Sequence, residues 1–326
     1  MRRVTLREVA EAAGVSRATA GRVLAGTDRN VHPELARRVV AARDRLGYRG
    51  NAAARALRTT STRSVAVLVP SLRNPYFVQL VEEISGQLAR SGRSLLLAES
   101  ADDVGTEAER IATLLASVCD ALLVVPTSCT GSGPAVAAAA RTAPVVQIDR
   151  WARGVHLPSV AMDDAVGVRL LVDHLRARGA RRLLYVGAEE TSSSGRERAE
   201  AFRALSAPAD RELALPSFSI DAGRDAARAV LAAGDLPDAV LCAADVLALG
   251  MMSGLQSAGV AVPDDVMIAG FDDTDLLRLV TPRITSVRPP VPEIVRVSLD
   301  RLDRPGATPA RVLLPPGLEV RGSTRR

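Results

Sequence analysis

The sequence contains no lysine, because all 42 of its basic residues are arginine. In an alanine-rich chain this absence indicates a bias in composition, so the placement of the arginines carries more information than their identity. Aromatic residues are also scarce: the 326 residues include one Trp, three Tyr and four Phe. The adjacent pair Tyr76 and Phe77 therefore stands out as a candidate functional feature.

The sequence also has few cysteines and no long apolar run. Its three cysteines are widely spaced, which argues against a disulfide framework or a cysteine-based metal site. An uninterrupted apolar stretch of about 18 residues, as a membrane-spanning helix needs, is missing. Charges at Arg7, Glu8 and Glu11 interrupt any apolar core near the N-terminus, so no signal peptide is predicted. We expect a cytoplasmic protein with reduced thiols, no membrane partner, no cofactor and no metal.

The charge that is present is distributed unevenly. Apolar residues make up 47% of the chain and charged residues 24%, as in a soluble protein of two or three domains. Residues 1–63 contain 14 Arg and 5 acidic residues, a net charge of +9, whereas the whole chain carries only +5. A basic N-terminal head on a mildly acidic body indicates that the head alone meets a polyanion.

Residues 4–25 read VTLREVAEAAGVSRATAGRVLA, which predicts two short helices joined by a four-residue turn. Thr5 and Glu8 fit a capping box at the start of the first helix. Gly14 ends that helix, since glycine adopts the left-handed conformation at low cost, and Ser16 is a suitable N-cap for the second helix. The pattern is typical of a helix-turn-helix.

The second helix is predicted to turn Arg17, Ala18 and Arg22 outward, because these residues share a face at helical spacing. Such a face can lie in a major groove, where arginine pairs bidentately with guanine. The alternative is a small solvated helical hairpin. A third helix is predicted from Pro33 to Gly47.

From Ser64 onward, short apolar strands alternate with amphipathic helices in two series. The strands are predicted at 64–70, 94–100, 121–126, 144–149, 182–187, near 213–219, 239–244 and 266–272. The helices are predicted at 75–91, 105–117, 134–141, 164–178, 195–205, 223–233 and 246–258. The fold class is therefore α/β, with two doubly wound parallel sheets that enclose a ligand between the carboxyl ends of their strands.

Several polar or aromatic residues follow those strands. Tyr76 and Phe77 come after the first strand, Asp149 after the fourth, Asp272 at the end of the last, and Arg198 on the helix after SSSG at 192–195. Carboxylates, arginine and an aromatic ring together can clamp a polar ligand. Each residue has a structural alternative: the aspartates can cap helices, Arg198 can be solvated and Phe77 can belong to the core. Their shared location favours a site.

Successive segments of the chain resemble the lactose-repressor/galactose-repressor family of bacterial transcription regulators. The matching segments are VTLREVAEAAGVSRATAGRVLAG, LGYRGNAAARAL, VAVLVPSLRNPYFVQLVEEI, VVQIDR, DHLRARGARRLLYVG, ALGMMSGLQSAGVAVPDDV, GFDDTDLLRLVTPRITSVRPP and LPPGLEVRGST. The resemblance implies an all-α helix-turn-helix head at 1–49, a hinge helix and linker at 50–63, and a two-lobed body at 64–326 like periplasmic sugar-binding proteins. The first lobe is expected at about 64–160 and 288–312, and the second at about 161–287 and 313–326.

The resemblance also implies roles for individual residues. The expected DNA contacts are Thr5, Ser16, Arg17, Ala18, Arg22, Asn30 and Leu57. Leu57, in NAAARAL, matches a leucine that the family inserts into the minor groove, although it could instead be a hydrophobic tether. Arg198 and Asp272 are expected to hold effector hydroxyls, with Tyr76, Phe77 and Asp149 close by. The implied partners are pseudo-palindromic operator DNA, a carbohydrate effector and a second copy of the chain.

Three features depart from the family pattern. Gly21 replaces a serine on the second helix, which removes a hydroxyl and weakens the helix by up to about 1 kcal/mol. Ala244-Asp245 replaces a common Asn-Asp, so one expected effector contact is missing. The segment after Pro290 is slightly short and no heptad tail follows Thr324, which argues against a tetramer built by such a tail.

Two other classes of protein fit the sequence less well. An exported solute-binding protein would lack residues 1–63 and carry a signal peptide. A dinucleotide enzyme would have G-x-G-x-x-G after the first strand, where this chain has PSLRNPYF, and no nucleophile–base pair emerges. The prediction is a DNA-binding regulator rather than an enzyme, with repression favoured over activation. A sugar or sugar derivative is the expected effector; a nucleoside or purine is the alternative.

Overall fold

The structure is a computed structural model that describes residues 4–25, 31–48, 62–117, 119–188, 191–304 and 311–325. The chain forms two compact units, Met1–Thr62 and Arg63–Arg326. Asn30 and Leu57 lie outside the described residues, as does the short helix predicted within 50–63, apart from residues 62 and 63.

The described residues of the N-terminal unit form three helices: α1 (Leu6–Ala13), α2 (Arg17–Leu24) and α3 (Pro33–Leu46). The predicted capping box is present, since Thr5 N donates to Glu8 Oε2 at 2.7 Å and Glu8 N donates to Thr5 Oγ1 at 3.3 Å. Gly14 ends α1 with φ of 62°. The turn before α2 spans residues 14–16, one residue fewer than the sequence predicted.

The three helices bury one small apolar core and leave their other faces in solvent. Its buried members are Val9, Ala10, Ala13, Ala20, Val23, Val39 and Ala42. Alanine at four of these seven positions lets the short helices approach closely. The small core fixes which face of α2 points outward.

The first lobe of the body is a three-layer α/β/α unit. Its strands are β1 (Ser64–Val69), β2 (Ser94–Glu99), β3 (Ala121–Val124), β4 (Val145–Ile148), β5 (Ser159–Met162) and β11 (Arg311–Leu314), in the sheet order β11-β5-β4-β3-β1-β2. Every neighbouring pair is parallel. Helices α4 (Pro75–Arg90) and α11 (Val291–Asp303) pack together against the sheet, and α5 (Val104–Ala116) packs with α6 (Gly133–Ala139).

The second lobe repeats this plan with one difference at its edge. Its strands are β6 (Leu183–Ala188), β7 (Arg211–Leu215), β8 (Ala239–Cys242), β9 (Met267–Phe271), β10 (Thr285–Arg288) and β12 (Gly317–Glu319), in the order β12-β10-β9-β8-β6-β7. Strand β12 runs antiparallel to β10, and the other pairs are parallel. Helices α7 (Asp164–Ala177) and α8 (Ser193–Leu205) pack together, as do α9 (Ile220–Ala233) and α10 (Asp245–Ser257).

The chain passes between the lobes three times: from β5 into α7, from β10 into α11, and from β11 into β12. The predicted lobe boundaries at 160/161, 287/288 and 312/313 fall inside strands β5, β10 and β11. The chain leaves each lobe where the strand ends, which is one or two residues after the predicted boundary. The two predicted βα series lie within a few residues of the observed elements. Strands β5, β10, β11 and β12 and helix α11 were not predicted, because they fall outside the two regular series of alternating strands and helices.

Candidate functional site

A narrow pocket lies between the carboxyl ends of the two sheets. The first lobe lines it with Asn74, Tyr76, Phe77, Asp149 and Arg150, and the second lobe with Ser194, Arg198, Phe218, Ala244 and Asp272. The structure thus brings all five predicted effector residues together. The pocket holds about 10 Å³, which is room for one water molecule at most. A sugar can reach these groups only if the pocket widens.

In the second lobe, Arg198 is buried among hydrogen-bond acceptors. Its Nε donates to Asp164 Oδ1 at 2.7 Å, and its Nη1 donates to the Ala243 carbonyl oxygen at 2.6 Å. Its Nη1 lies 3.7 Å from Asp272 Oδ1, and its guanidinium carbon lies 3.9 Å from the centre of the Phe271 ring. The alternative of a solvated Arg198 is therefore wrong.

Burial dominates the electrostatics of this group. It raises the pKa of Asp164 to about 6 although Arg198 acts in the opposite direction. It also raises the pKa of Asp272 well above its ordinary value, again against Arg198. Burial lowers the pKa of the Arg198 guanidinium, but the nearby carboxylates outweigh burial and raise it overall. The Arg198 guanidinium, which stays charged, thus lies beside two buried carboxyl groups, those of Asp164 and Asp272.

In the first lobe, Tyr76 and Asp149 form a buried pair. The Tyr76 hydroxyl donates to Asp149 Oδ1 at 2.6 Å, and burial, followed by the Asp149 charge, raises the tyrosine pKa well above its ordinary value. Asn74 Oδ1 accepts a hydrogen bond from Tyr76 N at 3.1 Å, which caps α4 and fixes the start of the helix. Phe77 belongs to the core and also lines the pocket, so its two predicted roles are compatible.

Backbone strain is concentrated at the same edge of the sheets. The φ angles of Asp102, Asp149 and Asp272 are 57°, 66° and 115°, and these residues lie beyond the carboxyl ends of β2, β4 and β9. Non-glycine residues in such regions cost about 1–3 kcal/mol each and cluster at functional sites. The strain therefore supports a binding role for this edge independently of side-chain chemistry.

A larger cavity of about 640 Å³ adjoins the narrow pocket and is lined by both lobes. Asn74, Phe77, Arg150 and Phe218 line both spaces. Its other lining residues include Arg73, Asp102, Thr127, Ser128, Ser192 and Ser219. A cavity of this size, lined by polar side chains and by a few apolar ones such as Phe77 and Phe218, is suited to a small polar ligand.

A second set of contacts, which we call the clasp, joins the lobes through Trp151, Glu197 and Arg311. Glu197, on α8, accepts hydrogen bonds from Trp151 Nε1 at 2.7 Å and from Arg311 Nη2 at 2.5 Å. The Arg311 guanidinium lies 5.2 Å from the centre of the Trp151 ring. Trp151 follows β4 and Arg311 begins β11, both in the first lobe. The clasp therefore holds the lobes at one separation.

In the N-terminal unit, Arg17, Ala18 and Arg22 are exposed on α2, opposite the buried residues Ala20 and Val23. The face predicted to read DNA is thus presented to solvent.

Two of the predicted DNA contacts have a structural role in the same unit. Ser16 Oγ accepts a hydrogen bond from Thr19 N at 3.0 Å, and Thr5 caps α1. A DNA contact by Thr5 or Ser16 stays a prediction.

The sequence did not single out Arg150, Asp164 or the clasp residues. Two signals were available: Arg150 directly follows Asp149, and Trp151 is the chain's only tryptophan. Within the described ranges, no group of three or more His, Cys, Asp or Glu residues is placed to hold a metal ion. Ala244 lines the narrow pocket without a polar side chain, as expected from the missing asparagine.

Comparison with known proteins gives matches along the whole chain. Residues 5–51 match the family model for bacterial regulatory proteins of the lacI family, and residues 172–324 match a periplasmic binding protein-like domain. The HTH-type transcriptional regulator PtxS of Pseudomonas aeruginosa is 34% identical over 333 residues, covering 99% of this chain and 96% of that protein. The ribose operon repressor of Escherichia coli is 28% identical, covering 98% of this chain and 99% of the repressor.

A solved structure resembles the whole fold. The lac repressor dimer bound to operator and an anti-inducer superimposes with a TM-score of 0.90 at 26% identity, covering 99% of each chain. No helix in the described part of this chain has the length and apolar character needed to span a membrane. The relatives named here are transcriptional regulators and not enzymes.

Proposed function

Because this chain belongs to the lacI family of bacterial regulatory proteins, whose members are DNA-binding transcriptional regulators, we propose that it is an effector-controlled repressor. It binds a pseudo-palindromic operator in the cytoplasm as a homodimer. A sugar or sugar derivative, bound between the lobes of the body, controls that binding. The observation that carries the proposal is the meeting of Tyr76 and Asp149 from one lobe with Arg198 and Asp272 from the other.

The proposed operator-reading surface is the exposed face of α2. Arg17 and Arg22 lie on this face, and residues 1–63 carry a net charge of +9 while the whole chain carries only +5. Arginine side chains on a recognition helix reach guanine edges, while other arginines neutralise phosphates without reading sequence. Thr5, Ser16, Ala18, Asn30 and Leu57 remain proposed contacts on the strength of the family resemblance.

The proposed effector contacts are the polar groups of the narrow pocket. Carboxylates and a guanidinium suit the hydroxyls of a sugar, since charge-assisted hydrogen bonds are directional and strong. The relative named a ribose operon repressor supports both a sugar and repression. The operator-bound dimer of the lac repressor supports the proposed dimer.

Control follows from the position of these groups in opposite lobes. A ligand that touches both Asp149 and Arg198 needs more room than about 10 Å³, so the lobes must separate or Tyr76 must move. Effector binding therefore selects one lobe angle over another. Only the difference in affinity for the two states can shift that equilibrium.

The proposed reading of operator bases is tested with the variant Arg22→Ala. The operator is first identified as the DNA sequence that the purified parent protein selects from a random pool. Operator affinity should fall by about 1–3 kcal/mol, roughly 5- to 150-fold, and base preference should relax at one position. Arg45→Ala on α3 is the matched control because it removes the same charge from an exposed position.

Fluorescence anisotropy on operator and random DNA separates the outcomes. Arg45→Ala should lower the affinities for operator and for random DNA alike, whereas Arg22→Ala should mainly lower the affinity for operator. If Arg22→Ala lowers both equally, Arg22 contacts phosphate and does not read bases. A body lacking residues 1–63 that still bound the operator would contradict the assignment of DNA binding to the head.

A thermal-shift screen of carbohydrates and nucleosides tests the effector. A ligand specific to the folded state raises the unfolding midpoint by mass action. Binding by nucleosides alone would replace the sugar with the alternative effector class.

A further inference from the structure

The Arg150 side chain is a buried cation whose Nε makes no hydrogen bond to any residue that the structure describes. Its side chain is 10% exposed, and its closest carboxylate oxygen in the described residues is Asp149 Oδ2, 3.8 Å from Nε. No hydrogen-bond acceptor from those residues reaches the buried Nε. Leaving a buried donor unsatisfied costs about 1–3 kcal/mol, and more for a charged group. Such a group is unusual in a folded protein unless something else binds to it.

Arg198 provides the internal comparison. Both arginines are more than nine-tenths buried and both line the narrow pocket. Arg198 donates at 2.6 and 2.7 Å to acceptors of its own lobe. Arg150 lies 5.2 Å from the centre of the Phe77 ring, which supports the guanidinium from one side without accepting a hydrogen bond. Its donors thus remain available to a ligand.

Arg150 also lines the larger cavity, where its neighbours suit an anion. Arg73 lines that cavity with a second guanidinium, and Thr127, Ser128 and Ser192 bring hydroxyl groups. The acidic residues that line the same cavity are Asp221 and Asp102, and the pKa of Asp102 is raised by burial while Arg150 acts in the opposite direction. Asp149, the other neighbouring carboxylate, already accepts a hydrogen bond from the Tyr76 hydroxyl.

We propose that the effector carries a carboxylate or phosphate group which Arg150 binds in the larger cavity, while its hydroxyls reach Arg198 and Asp272. The effector is then an anionic polyol, such as a sugar acid or a sugar phosphate. A planar guanidinium binds either anion through two parallel hydrogen bonds, which a neutral hydroxyl cannot match. This inference rests on the proposed function, because it specifies the ligand of the same cleft.

The test compares matched ligands that differ only in the anionic group. D-gluconate is compared with D-glucose, D-galacturonate with D-galactose, and D-ribose 5-phosphate with D-ribose, each titrated by calorimetry into the full-length protein. At least one anion should bind roughly ten- to a hundredfold more tightly than its neutral partner, as expected for charge-assisted hydrogen bonds. The carboxylate and phosphate pairs reveal which anion the cavity takes.

Variants then assign the preference to one side chain. Arg150→Gln should remove the advantage of the anion over its neutral partner, while Arg150→Lys should retain part of that advantage. Arg153→Gln, which neutralises an exposed arginine three residues later, is the matched control and should change nothing. If Arg150→Gln fails to fold, the inference is tested by the ratio of anion affinity to neutral-sugar affinity, which should be lower in Arg150→Lys than in the parent protein.

The outcomes separate this inference from the proposed function. If neutral sugars bind as tightly as their acids, or if Arg150→Gln retains the preference, the anion inference is wrong and the sugar effector stands. If no ligand of the panel binds the parent, the sugar-type effector and the anion inference are both wrong.

Discussion

The two lobes contribute to the cleft in opposite ways. The second lobe satisfies its own cation, because Arg198 is hydrogen-bonded to Asp164 and to the Ala243 carbonyl group. The first lobe leaves Arg150 without a hydrogen-bond partner in the described residues and holds its own carboxylate, Asp149, through Tyr76. The second lobe is thus organised before a ligand arrives, whereas the first lobe, in our proposal, gains its missing contact from the ligand.

This contrast indicates that the two lobes have different roles in ligand binding. A preorganised charge cluster fixes the orientation of the ligand, since it loses little freedom on binding. An unsatisfied group adds specificity, because it discriminates strongly against ligands that leave it unpaired.

The largest effect is expected from Arg198→Ala. It leaves the carboxyl groups of Asp164 and Asp272 buried without their cation, and breaking such a buried pair costs about 3–5 kcal/mol of unfolding free energy. The effector response should disappear, while operator binding should persist wherever the variant is folded. Urea unfolding, calorimetry and DNA binding measure the three effects.

Two further variants serve as comparisons for Arg198→Ala. Arg228→Ala removes an exposed ion pair on α9 of the same lobe and should change stability by less than about 1 kcal/mol. Asp272→Asn should impair effector binding with a smaller loss of stability. An Arg198→Ala protein that bound effector as tightly as the parent would show that the site has been misplaced.

The second effect is a pH dependence that originates in the second lobe. Burial raises the pKa of Asp164 to about 6 and that of Asp245 to about 7. A carboxyl group that binds its proton more tightly in the folded state stabilises the fold at low pH. This contribution is lost as pH rises through the folded-state pKa. Stability should therefore fall between about pH 4, the unfolded-state pKa of an aspartate, and about pH 7.

The variant Asp245→Asn tests the contribution of one carboxyl group to this dependence of stability on pH. Asp245 accepts hydrogen bonds from Thr274 N and Ser286 Oγ, and an asparagine can keep both contacts if the serine hydroxyl reverses. The variant should gain stability relative to the parent at pH 8 and little at pH 5, by an amount on the order of 2 kcal/mol. Asp221→Asn, at an exposed carboxylate on α9, is the control. Parallel pH profiles for parent and Asp245→Asn would contradict the assignment.

The smallest effect concerns the clasp between the lobes. Glu197→Gln weakens the ion pair with Arg311, whose side chain is one-third exposed, so the change in free energy should be at most about 1 kcal/mol. Because the narrow pocket must widen to admit a ligand, weakening the clasp lowers the cost of opening. Effector affinity should rise by roughly two- to fivefold, measured by calorimetry. Weaker effector binding in this variant would mean that the clasp favours the ligand-bound state.

Much of this arrangement could be predicted from the sequence because it depends on local patterns. The βα repeats placed Tyr76, Asp149 and Asp272 at strand ends, and parallel strands bring such ends together. The helix-turn-helix followed from capping residues and helical spacing. A resemblance to a known family added the role of Arg198, which spacing alone did not distinguish from a solvated arginine.

The rest could not be predicted because it depends on burial and on distant contacts. In the sequence Arg150 resembles an ordinary charged residue in a loop, and only the packed structure shows that its buried Nε has no hydrogen-bond acceptor among the described residues. Asp164 follows the four-residue strand β5, too short to leave a clear pattern. The clasp joins Glu197 to residues 46 and 114 positions away, and no local pattern indicates such a contact.

The threefold passage of the chain between the lobes affects how the body is made on the ribosome. The first sheet receives its edge strand β11 and helix α11 only after most of the second lobe has been synthesised. The second sheet in turn waits for β12. A nascent chain that stops after β10 would present the unpaired edge of β5, a template for pairing with other chains. Because only two residues separate β11 from β12, the two lobes complete their sheets almost together.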